Sequence, residues 1–482
     1  LTDRFAYKLK KPVRFDFLDF STPEARRQAC LAECALNEPM APGVYLGVVP
    51  ITADAKENLA VGGEGRAVDW LVKMRRLPGN RMLDHLIRSG ELAEEDTQRL
   101  AAWLADYYHR LTPACVGAWG YRHGIETHVR QNRAELLEER HRLPPELVKR
   151  CHAAQLRFLV LEQIKLDARV CDGRIVEGHG DLRPEHICLE REPLVFDCIE
   201  FNADLRRLDV ADELEFLAME CDYLGAAGVG RQIVAAYQRT SGDHFSHALG
   251  NFFKSYRACV RAKVAALAAA QVAAPLDDEP RQRALAYLRL ADGYAAHLGP
   301  PTAIVVCGLM GSGKTTLATG LADLLGSHYL STDEIRRELL GTSPLPAAYN
   351  EGHYTKASRQ RIYTELLHRA ETLLRQGISV VLDGTFLTAA LRHAAVAVAR
   401  AAGAAPLVVH CNCPAAVAQE RIEQRTAEST SSEARRELYA AQQAEEEPFA
   451  DVDLIEIDTT EAPIVQQAAV LTALRSRVAI KE

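Results

Sequence analysis

The stretch that decides the fold of the second half of this 482-residue chain is Gly308-Leu-Met-Gly-Ser-Gly313-Lys314-Thr315. It fits the pattern G-x-x-x-x-G-K-[ST], and it lies between the apolar run Ala303–Cys307 and a segment with helical periodicity. Glycines let backbone N–H groups curl around a phosphate, and the start of the following helix adds positive potential. The pattern therefore predicts a phosphate-binding loop between a strand and a helix.

The residues of this loop have separate predicted roles. Lys314 would bridge the transferring phosphates, and the Thr315 hydroxyl would ligate Mg²⁺. The candidate nucleotide-binding residues are Gly308, Gly311, Ser312, Gly313, Lys314, Thr315 and Thr316.

Around the loop, apolar strands alternate with amphipathic helices. The strands are predicted at Ala303–Cys307, Ser379–Leu382, Pro406–His410 and Leu454–Ile457. This alternation predicts a parallel sheet with helices on both faces, an α/β domain over residues 302–482. Consecutive prolines at Pro300 and Pro301 cannot continue a helix, so we expect the linker at 296–301. Residues 1–295, which mix short strands and helices, form the other predicted domain, of the α+β class.

Two carboxylates follow later strands of the predicted sheet. Ligands of open α/β sheets gather outside the carboxyl ends of the strands, so Asp333 and Asp383 could both reach the phosphate loop. Asp333 and Arg336 form D-x-x-R, which pairs a base for a hydroxyl proton with a guanidinium for phosphate. Asp333 could equally be the N-cap of the following helix. Asp383 is predicted to orient a metal ion or a water molecule.

A pair of arginines is predicted one turn apart on a helix that starts near Pro414. Arg421 and Arg425 could close over the nucleotide as a lid and neutralise developing charge. The alternative is a solvated helix face, which Glu420 and Glu423 would share.

Together with Val381-Leu-Asp-Gly-Thr-Phe386, these motifs resemble the P-loop small kinases over about residues 302–460. That group includes gluconate kinases, zeta-toxin-type kinases and 5′-hydroxyl polynucleotide kinases. The resemblance implies ATP-dependent transfer to a hydroxyl, with Asp333 as the base. The acceptor stays open: a small sugar-like or nucleoside-like molecule, or the 5′ end of a polynucleotide. Residues Gly341–Ser358 are the predicted acceptor loop.

The first half carries a second constellation of acids. His179-Gly-Asp-Leu-Arg-Pro-Glu-His186 is followed by Phe196-Asp197 on the next predicted strand. A carboxylate in a tight loop, a metal ligand five residues later and an acid after a hairpin are typical of phosphotransferases. Asp181 would orient or deprotonate the acceptor hydroxyl, and Asp197 would hold Mg²⁺. His179 is predicted to brace the loop by hydrogen bonding.

This constellation resembles the aminoglycoside phosphotransferase family, a branch of the protein-kinase-like fold. Over nearly the whole chain, the sequence resembles bacterial bifunctional proteins that fuse such a domain to a P-loop kinase. The resemblance implies a bilobal kinase-like domain, with a small lobe over 1–78 and a large lobe over 79–295.

The same resemblance assigns roles to further residues. Lys8 corresponds to the strand lysine that contacts phosphates, and Glu33, on the predicted helix Pro23–Asn37, is its candidate partner, ahead of Glu24. Asp209 and Asp212 would brace the loop. A solvated basic strand edge remains the alternative for Lys8, since lysines also occupy positions 10 and 11.

Two departures from the family pattern concern metal and nucleotide binding. The chain has His186 where the family has Asn, and imidazole prefers softer metals than Mg²⁺. The glycine-rich hairpin that would precede Lys8 is short or missing, and we expect the chain to start inside the small lobe. The first domain is therefore either an active kinase or a degenerate one that regulates its partner.

Composition limits the remaining function classes. With 57 Lys+Arg against 65 Asp+Glu, the net charge of −8 argues against a dedicated nucleic-acid-binding protein. No apolar run reaches the ~18–20 residues that cross a bilayer, and the 12 scattered cysteines predict buried, reduced thiols and a cytoplasmic location.

A basic face on the helix Phe252–Ala266, formed by Lys254, Arg257 and Arg261, could bind an anionic acceptor or simply be solvated.

Overall fold

The computed structural model describes residues 1–15, 18–271, 279–341, 355–424, 432–449 and 453–478. The chain divides into two compact units. Unit 1 comprises Leu1–Tyr121 and Lys165–Arg261, and unit 2 comprises Arg122–Ile164 and Ala262–Glu482.

The strands and helices of the first 295 residues follow the predicted mixture. The strands are β1 (Phe5–Leu9), β2 (Arg14–Phe15), β3 (Leu18–Asp19), β4 (Tyr45–Ala53), β5 (Leu59–Val61), β6 (Arg66–Arg75), β7 (Ile175–Glu177), β8 (Ile187–Leu189), β9 (Pro193–Val195) and β10 (Arg207–Asp209). The helices are α1 (Pro23–Asn37), α2 (Leu83–Ser89), α3 (Glu94–Arg110), α4 (Ala118–Leu136), α5 (Pro145–Leu161), α6 (Gln163–Cys171), α7 (Val210–Tyr223), α8 (Ala227–Ser241), α9 (His247–Gln271) and α10 (Glu279–Ala295).

The main sheet of unit 1 is antiparallel, with the strand order β1-β6-β4-β5. Helix α1 packs on β6 and β4 and has the predicted bounds. It starts there because the Thr22 hydroxyl accepts a hydrogen bond from the backbone N–H of Ala25 and Pro23 occupies its first turn. The helix buries Glu33 completely, so a carboxylate reaches the interior of unit 1.

The later elements form the predicted parallel sheet. The strands are β11 (Thr302–Cys307), β12 (His328–Ser331), β13 (Val380–Asp383), β14 (Ala405–Asn412) and β15 (Leu454–Asp458). The helices are α11 (Lys314–Leu325), α12 (Thr332–Leu340), α13 (Lys356–Arg375), α14 (Ala389–Ala401), α15 (Ala415–Gln424), α16 (Ser432–Glu445) and α17 (Pro463–Arg477).

The order of this sheet, β12-β13-β11-β14-β15, puts the strand before the phosphate loop at its centre. Val305 of β11 faces a core that α13 and α14 cover, and Ile304 faces the core under α11 and α17. Helices therefore cover both faces, and the prediction of an α/β sheet in the second half is confirmed.

Helix α5 completes unit 2 although it comes from the first half of the chain. Its Leu161 belongs to the core under α11, and it packs on α10 and α11. Its buried Arg157 donates hydrogen bonds to Ser379 Oγ at 3.0 Å and to the carbonyl of Gly299 at 2.8 Å. Burial lowers the pKa of this guanidinium to about 10.

The compact units therefore do not follow the two consecutive domains expected at 1–295 and 302–482, with a linker at 296–301. The chain passes from one unit to the other three times, because residues 122–164 and 262–295 pack with the parallel sheet. The bilobal kinase-like description of residues 1–295 stays a prediction. In the described part of the chain, no helix is long and apolar enough to cross a membrane.

Candidate active sites

The phosphate loop follows β11 and relies on glycines in the left-handed region of backbone space. Gly308, Gly311 and Gly313 have φ values of 131°, 78° and 84°. A Cβ on Gly308 would lie 2.4 Å from the carbonyl oxygen of Cys411, and one on Gly311 would lie 2.5 Å from that of Ala418. Side chains at these positions would both strain the backbone and collide with neighbouring carbonyls.

Lys314 is the first residue of α11 and turns back over the loop. Its Nζ donates a hydrogen bond to the carbonyl oxygen of Leu309 at 2.6 Å. Burial lowers the pKa of this ammonium group, and the nearby Asp383 carboxylate opposes that shift. The lysine is thus a desolvated cation at a loop whose glycines predict an anionic ligand.

The buried Asp383, at the end of β13, accepts two hydrogen bonds from hydroxyl groups. Thr315 Oγ1 and the Tyr329 phenol each lie 2.7 Å from Asp383 Oδ2. The sequence analysis assigned Thr315 and Asp383 separately to the metal site, whereas Tyr329 was missed. The sequence could have indicated Tyr329, because it lies on β12 two residues before Ser331 and therefore on the same face of the strand. These oxygen donors beside a phosphate loop fit Mg²⁺, which prefers oxygen ligands.

Asp333 lies in the first turn of α12, but it is not the N-cap. That position belongs to Ser331, whose Oγ accepts a hydrogen bond from the backbone N–H of Asp333 at 3.1 Å. The N-cap interpretation of Asp333 is therefore wrong. Its side chain is 72% exposed and accepts a hydrogen bond from Arg336 at 2.5 Å.

These residues meet in one cavity of about 290 Å³. Its wall includes Lys314, Thr315, Asp333, Arg336 and Asp383, which the sequence had proposed from separate motifs.

A second cavity of about 220 Å³ shares part of this wall. The two have Arg359, Tyr363, Thr385 and Leu387 in common. Arg359, which lies 2.7 Å from Glu445 Oε2, is a residue that the sequence reasoning missed.

Arg421 contacts the loop after β15. It donates hydrogen bonds to Thr459 Oγ1 at 3.0 Å and to the Thr459 carbonyl at 2.7 Å. Arg421 and Thr459 line a cavity of about 420 Å³ together with Gly313 and Thr316 of the phosphate loop. A solvated helix face does not describe Arg421, because its guanidinium is bonded to protein.

Two sequence predictions fall outside the described residues. Arg425, the second arginine of the predicted lid, is one of them. The other is most of the predicted acceptor loop Gly341–Ser358, since the description stops at 341 and resumes at 355.

In unit 1, the structure brings together the predicted lysine, its helix partner and an acid. Lys8 Nζ lies 3.0 Å from Glu33 Oε1 and also donates a hydrogen bond to Asp197 Oδ1. Lys10 contacts the other oxygen of Glu33 at 2.7 Å and also binds Glu200. The alternative of a solvated basic strand edge is wrong for Lys8 and Lys10, since both are ion-paired.

The loop that carries Asp181 is held from two sides. His179 Nε2 lies 2.8 Å from the carbonyl of Phe196, so it braces the loop as predicted. The buried Glu213 accepts hydrogen bonds from the backbone N–H groups of His179 at 2.9 Å and Gly180 at 2.5 Å. Sequence reasoning missed Glu213, because nothing in Asp209-Val-Ala-Asp-Glu213 distinguishes the bracing acid from its neighbours.

The two acids that were expected to brace this loop act less directly. Asp209 pairs with Arg169 and caps α7, and Asp212 pairs with Arg257. Arg257 in turn lies 3.4 Å from the carbonyl of Gly180, so Asp212 reaches the loop through this arginine.

Both interpretations of the basic helix face are wrong. Lys254, Arg257 and Arg261 of α9 are ion-paired with Asp222, Asp212 and Glu220 at 3.2, 2.7 and 3.1 Å. Their side chains are 10–13% exposed, so they form neither a solvated face nor an open anion site.

His186 stands between Asp181, the predicted catalytic acid of unit 1, and Asp197, the predicted metal ligand. Its Nδ1 lies 2.9 Å from the main-chain carbonyl of Asp181, and its Nε2 lies 3.7 Å from Asp197 Oδ2. Within the described ranges, no group of three or more His, Cys, Asp or Glu side chains could hold a metal ion.

Part of the second half of the chain is similar to a known domain family. Residues 304–449 match the family model described as an AAA domain. Among solved structures, a sugar kinase from Janibacter sp. HTCC2649 is 22% identical, with 38% of this chain and 99% of that chain covered at a TM-score of 0.29. A gluconokinase from Sinorhizobium meliloti 1021 is 23% identical, with 36% and 94% covered at a TM-score of 0.27.

Relatives of the whole chain occur in mycobacteria. The uncharacterized protein Rv2004c of Mycobacterium tuberculosis (strain ATCC 25618 / H37Rv) is 32% identical over 442 residues, which are 90% of this chain and 86% of the relative. The uncharacterized protein Mb2027c of Mycobacterium bovis matches with the same identity and coverage. The protein therefore belongs to the same family as these mycobacterial proteins.

Proposed function

We propose that unit 2 is an ATP-dependent phosphotransferase that acts on a hydroxyl group of a small sugar-like or nucleoside-like acceptor. The observation that carries this proposal is the shared cavity at the carboxyl edge of the sheet. Lys314 and Thr315 of the phosphate loop, the buried Asp383 and the exposed Asp333 all line it. A phosphate-binding group, a metal-binding group and a base within one cavity are what phosphoryl transfer requires.

Each residue of this cavity has a role in the proposed reaction. The loop N–H groups and Lys314 bind the phosphates of ATP, and Thr315 and Asp383 would hold Mg²⁺. Mg²⁺, when bound, neutralises charge on the phosphates. Asp333 accepts the proton of the acceptor hydroxyl. The oxygen of that hydroxyl forms a bond to the γ-phosphorus, and the bond from this phosphorus to the bridging oxygen of ADP breaks. Arg336 binds the acceptor or the transferred group, and Arg421 neutralises negative charge near the loop.

Unit 1 is proposed to be an aminoglycoside phosphotransferase-like kinase domain that binds a second nucleotide. Support comes from the Lys8–Glu33 ion pair beside Asp197, with Asp181 in the braced loop as the group that orients an acceptor. The alternative, a degenerate domain that binds a ligand and regulates unit 2, has support from the cationic and imidazole neighbours of Asp197.

All twelve cysteines are free thiols, which suits a reducing compartment, and we place both reactions in the cytoplasm.

A phosphorylation screen with labelled ATP tests these proposals. The panel contains sugars, sugar acids, nucleosides, aminoglycosides and a 5′-hydroxyl oligonucleotide, and it is run with wild type, Lys314→Ala and Asp181→Ala. Activity that Lys314→Ala abolishes and Asp181→Ala retains belongs to unit 2. Labelling of the oligonucleotide alone would favour the 5′-hydroxyl polynucleotide kinase, and equal activity of all three proteins on every acceptor would refute both assignments.

A further inference from the structure

The hydrogen bonding of His186 determines which of its ring nitrogens can bind a ligand. Nδ1 lies 2.9 Å from the main-chain carbonyl oxygen of Asp181. A carbonyl oxygen can only accept a hydrogen bond, so Nδ1 carries the proton and Nε2 of the neutral ring keeps its lone pair. This arrangement, with one nitrogen on a backbone carbonyl, is the one that orients metal-binding imidazoles in proteins.

The Nε2 lone pair has a carboxylate oxygen opposite it. Asp197 Oδ1 is hydrogen-bonded to Lys8, whereas Asp197 Oδ2 lies 3.7 Å from His186 Nε2. Two donors that are each about 2.1 Å from one cation lie about 3.0 Å apart at a right angle and about 4.2 Å apart in line. The observed separation falls between these limits, so one cation can contact both atoms.

The chemistry of this donor pair does not fit Mg²⁺, the ion that the kinase-like interpretation implies for this position. Mg²⁺ favours oxygen ligands, whereas imidazole nitrogen suits divalent transition metals such as Zn²⁺, Fe²⁺ and Ni²⁺. The pair formed by Thr315 and Asp383 in unit 2 contains oxygen donors and does fit Mg²⁺.

We propose that unit 1 binds a divalent transition-metal ion between His186 Nε2 and Asp197 Oδ2, in preference to Mg²⁺. The proposal rests on nucleotide binding by unit 1, because two protein donors leave the other coordination positions to phosphate oxygens and water. The two units then use different cations with the same nucleotide: Mg²⁺ in unit 2 and a transition-metal ion in unit 1.

Mn²⁺ binding, measured by electron paramagnetic resonance, tests this proposal without any turnover. The full-length protein carries Lys314→Ala and Asp383→Asn, which weaken nucleotide and metal binding in unit 2, and the nucleotide is β,γ-methylene ATP, whose phosphate chain has no nitrogen. We expect nitrogen modulation from a bound imidazole in the spin-echo spectrum. His186→Asn, which restores the family's oxygen donor, should remove that modulation. It should also lower, by on the order of tenfold, the Mg²⁺ concentration that displaces half of the Mn²⁺.

The outcomes separate this proposal from the proposed function of unit 1. Bound Mn²⁺ without nitrogen modulation would overturn the metal preference and leave nucleotide binding standing. The same conclusion would follow if the Mg²⁺ concentration that displaces half of the Mn²⁺ were equal with and without His186→Asn. If Asp197→Ala in the same background binds as much Mn²⁺ and nucleotide as its parent, unit 1 has no such site, and both ideas fail. Thermal unfolding of each variant confirms that it is folded.

Discussion

The acids Asp383 and Asp197 occupy comparable places in the two proposed sites, but their neighbours differ. Asp383 accepts hydrogen bonds from the neutral hydroxyls of Thr315 and Tyr329. Asp197 faces the ammonium group of Lys8 and the imidazole of His186. The acid of unit 2 therefore has neutral hydrogen-bond donors, whereas one oxygen of the acid of unit 1 is already bound to a protein cation.

Lys314 of unit 2 and Lys8 of unit 1 also differ in whether their ammonium groups are paired with carboxylates. Burial lowers the pKa of Lys314, whose Nζ hydrogen-bonds to a backbone carbonyl. Burial alone would also lower the pKa of Lys8, but Glu33 and Asp197 together raise it. An anionic ligand stabilises the desolvated lysine of unit 2, while in unit 1 it must compete with two carboxylates. We conclude that unit 2 is the better prepared of the two to bind a nucleotide.

The largest effect that this comparison predicts is the loss of phosphorylation in Lys314→Ala. Removing a cation that contacts the transferring phosphates should lower kcat by roughly 10²–10³-fold. The melting temperature should not fall, because the lowered pKa shows that the folded protein disfavours this charge without its ligand. Steady-state kinetics and calorimetry check the two expectations. Lys149→Ala, on the surface of α5, is the control, and more than a tenth of wild-type activity in Lys314→Ala would contradict the comparison.

Asp333→Asn should give the next largest effect. Loss of the base lowers kcat by about 10²-fold or more, with little change in the KM for ATP, because the proposed role of the carboxylate is to accept the proton of the acceptor rather than to bind ATP. Glu334→Gln, which removes an exposed neighbouring acid on the same helix, is the matched control. Equal activities of the two variants would show that Asp333 has no part in proton transfer.

In unit 1, the comparison predicts a stability effect for Glu33→Gln. The variant leaves Lys8 and the buried Lys10 with fewer counter-charges, and we expect the free energy of unfolding to fall by about 3 kcal/mol. Glu24→Gln on the same helix removes a 64% exposed acid paired with Arg27 and should change it by less than about 0.5 kcal/mol. Denaturant titration measures both, and equal losses would mean that the Glu33 network adds no more stability than a surface pair.

Local patterns in the sequence predicted the parallel sheet, the phosphate loop and helix α1. The bounds of α1 followed from Thr22 and Pro23, and the phosphate loop followed from its glycines, because both depend on neighbouring residues. Non-local packing was not predictable in the same way. Nothing near Arg157 indicates that its partners lie at Gly299 and Ser379.

The interleaved units have the same cause. Helix α5 is buried on all sides over residues 151–159, and the surface that buries it is formed largely by residues more than a hundred positions later in the chain. Likewise, a sequence pattern shows that Lys254, Arg257 and Arg261 share a helix face, but not that acids of α7 lie opposite them. Charge periodicity could therefore not distinguish ion pairs inside the protein from a solvated surface.

The smallest predicted effect concerns the ion pair between Arg75, at the end of β6, and Glu190, after β8. Both nitrogen–oxygen contacts are 2.9 Å long, and hydrogen bonds from Arg75 lower the pKa of Glu190. A lowered pKa in the folded protein means that the carboxylate adds stability above its ordinary pKa of 4.5 and that this contribution is lost as the pH falls through the lower value. Because the side chains are 39% and 30% exposed, solvent screening limits the contribution to about 0.5–1 kcal/mol.

Glu190→Gln should therefore unfold more easily than wild type at pH 7, and the difference between the two proteins should shrink as the pH falls below 4.5. Denaturant titration at a series of decreasing pH values measures this, and Glu192→Gln, an exposed neighbour, is the control. If the difference between Glu190→Gln and wild type stays constant over the whole series, the pair stabilises the protein through its shape rather than its charge, and the electrostatic description of unit 1 loses one of its supports.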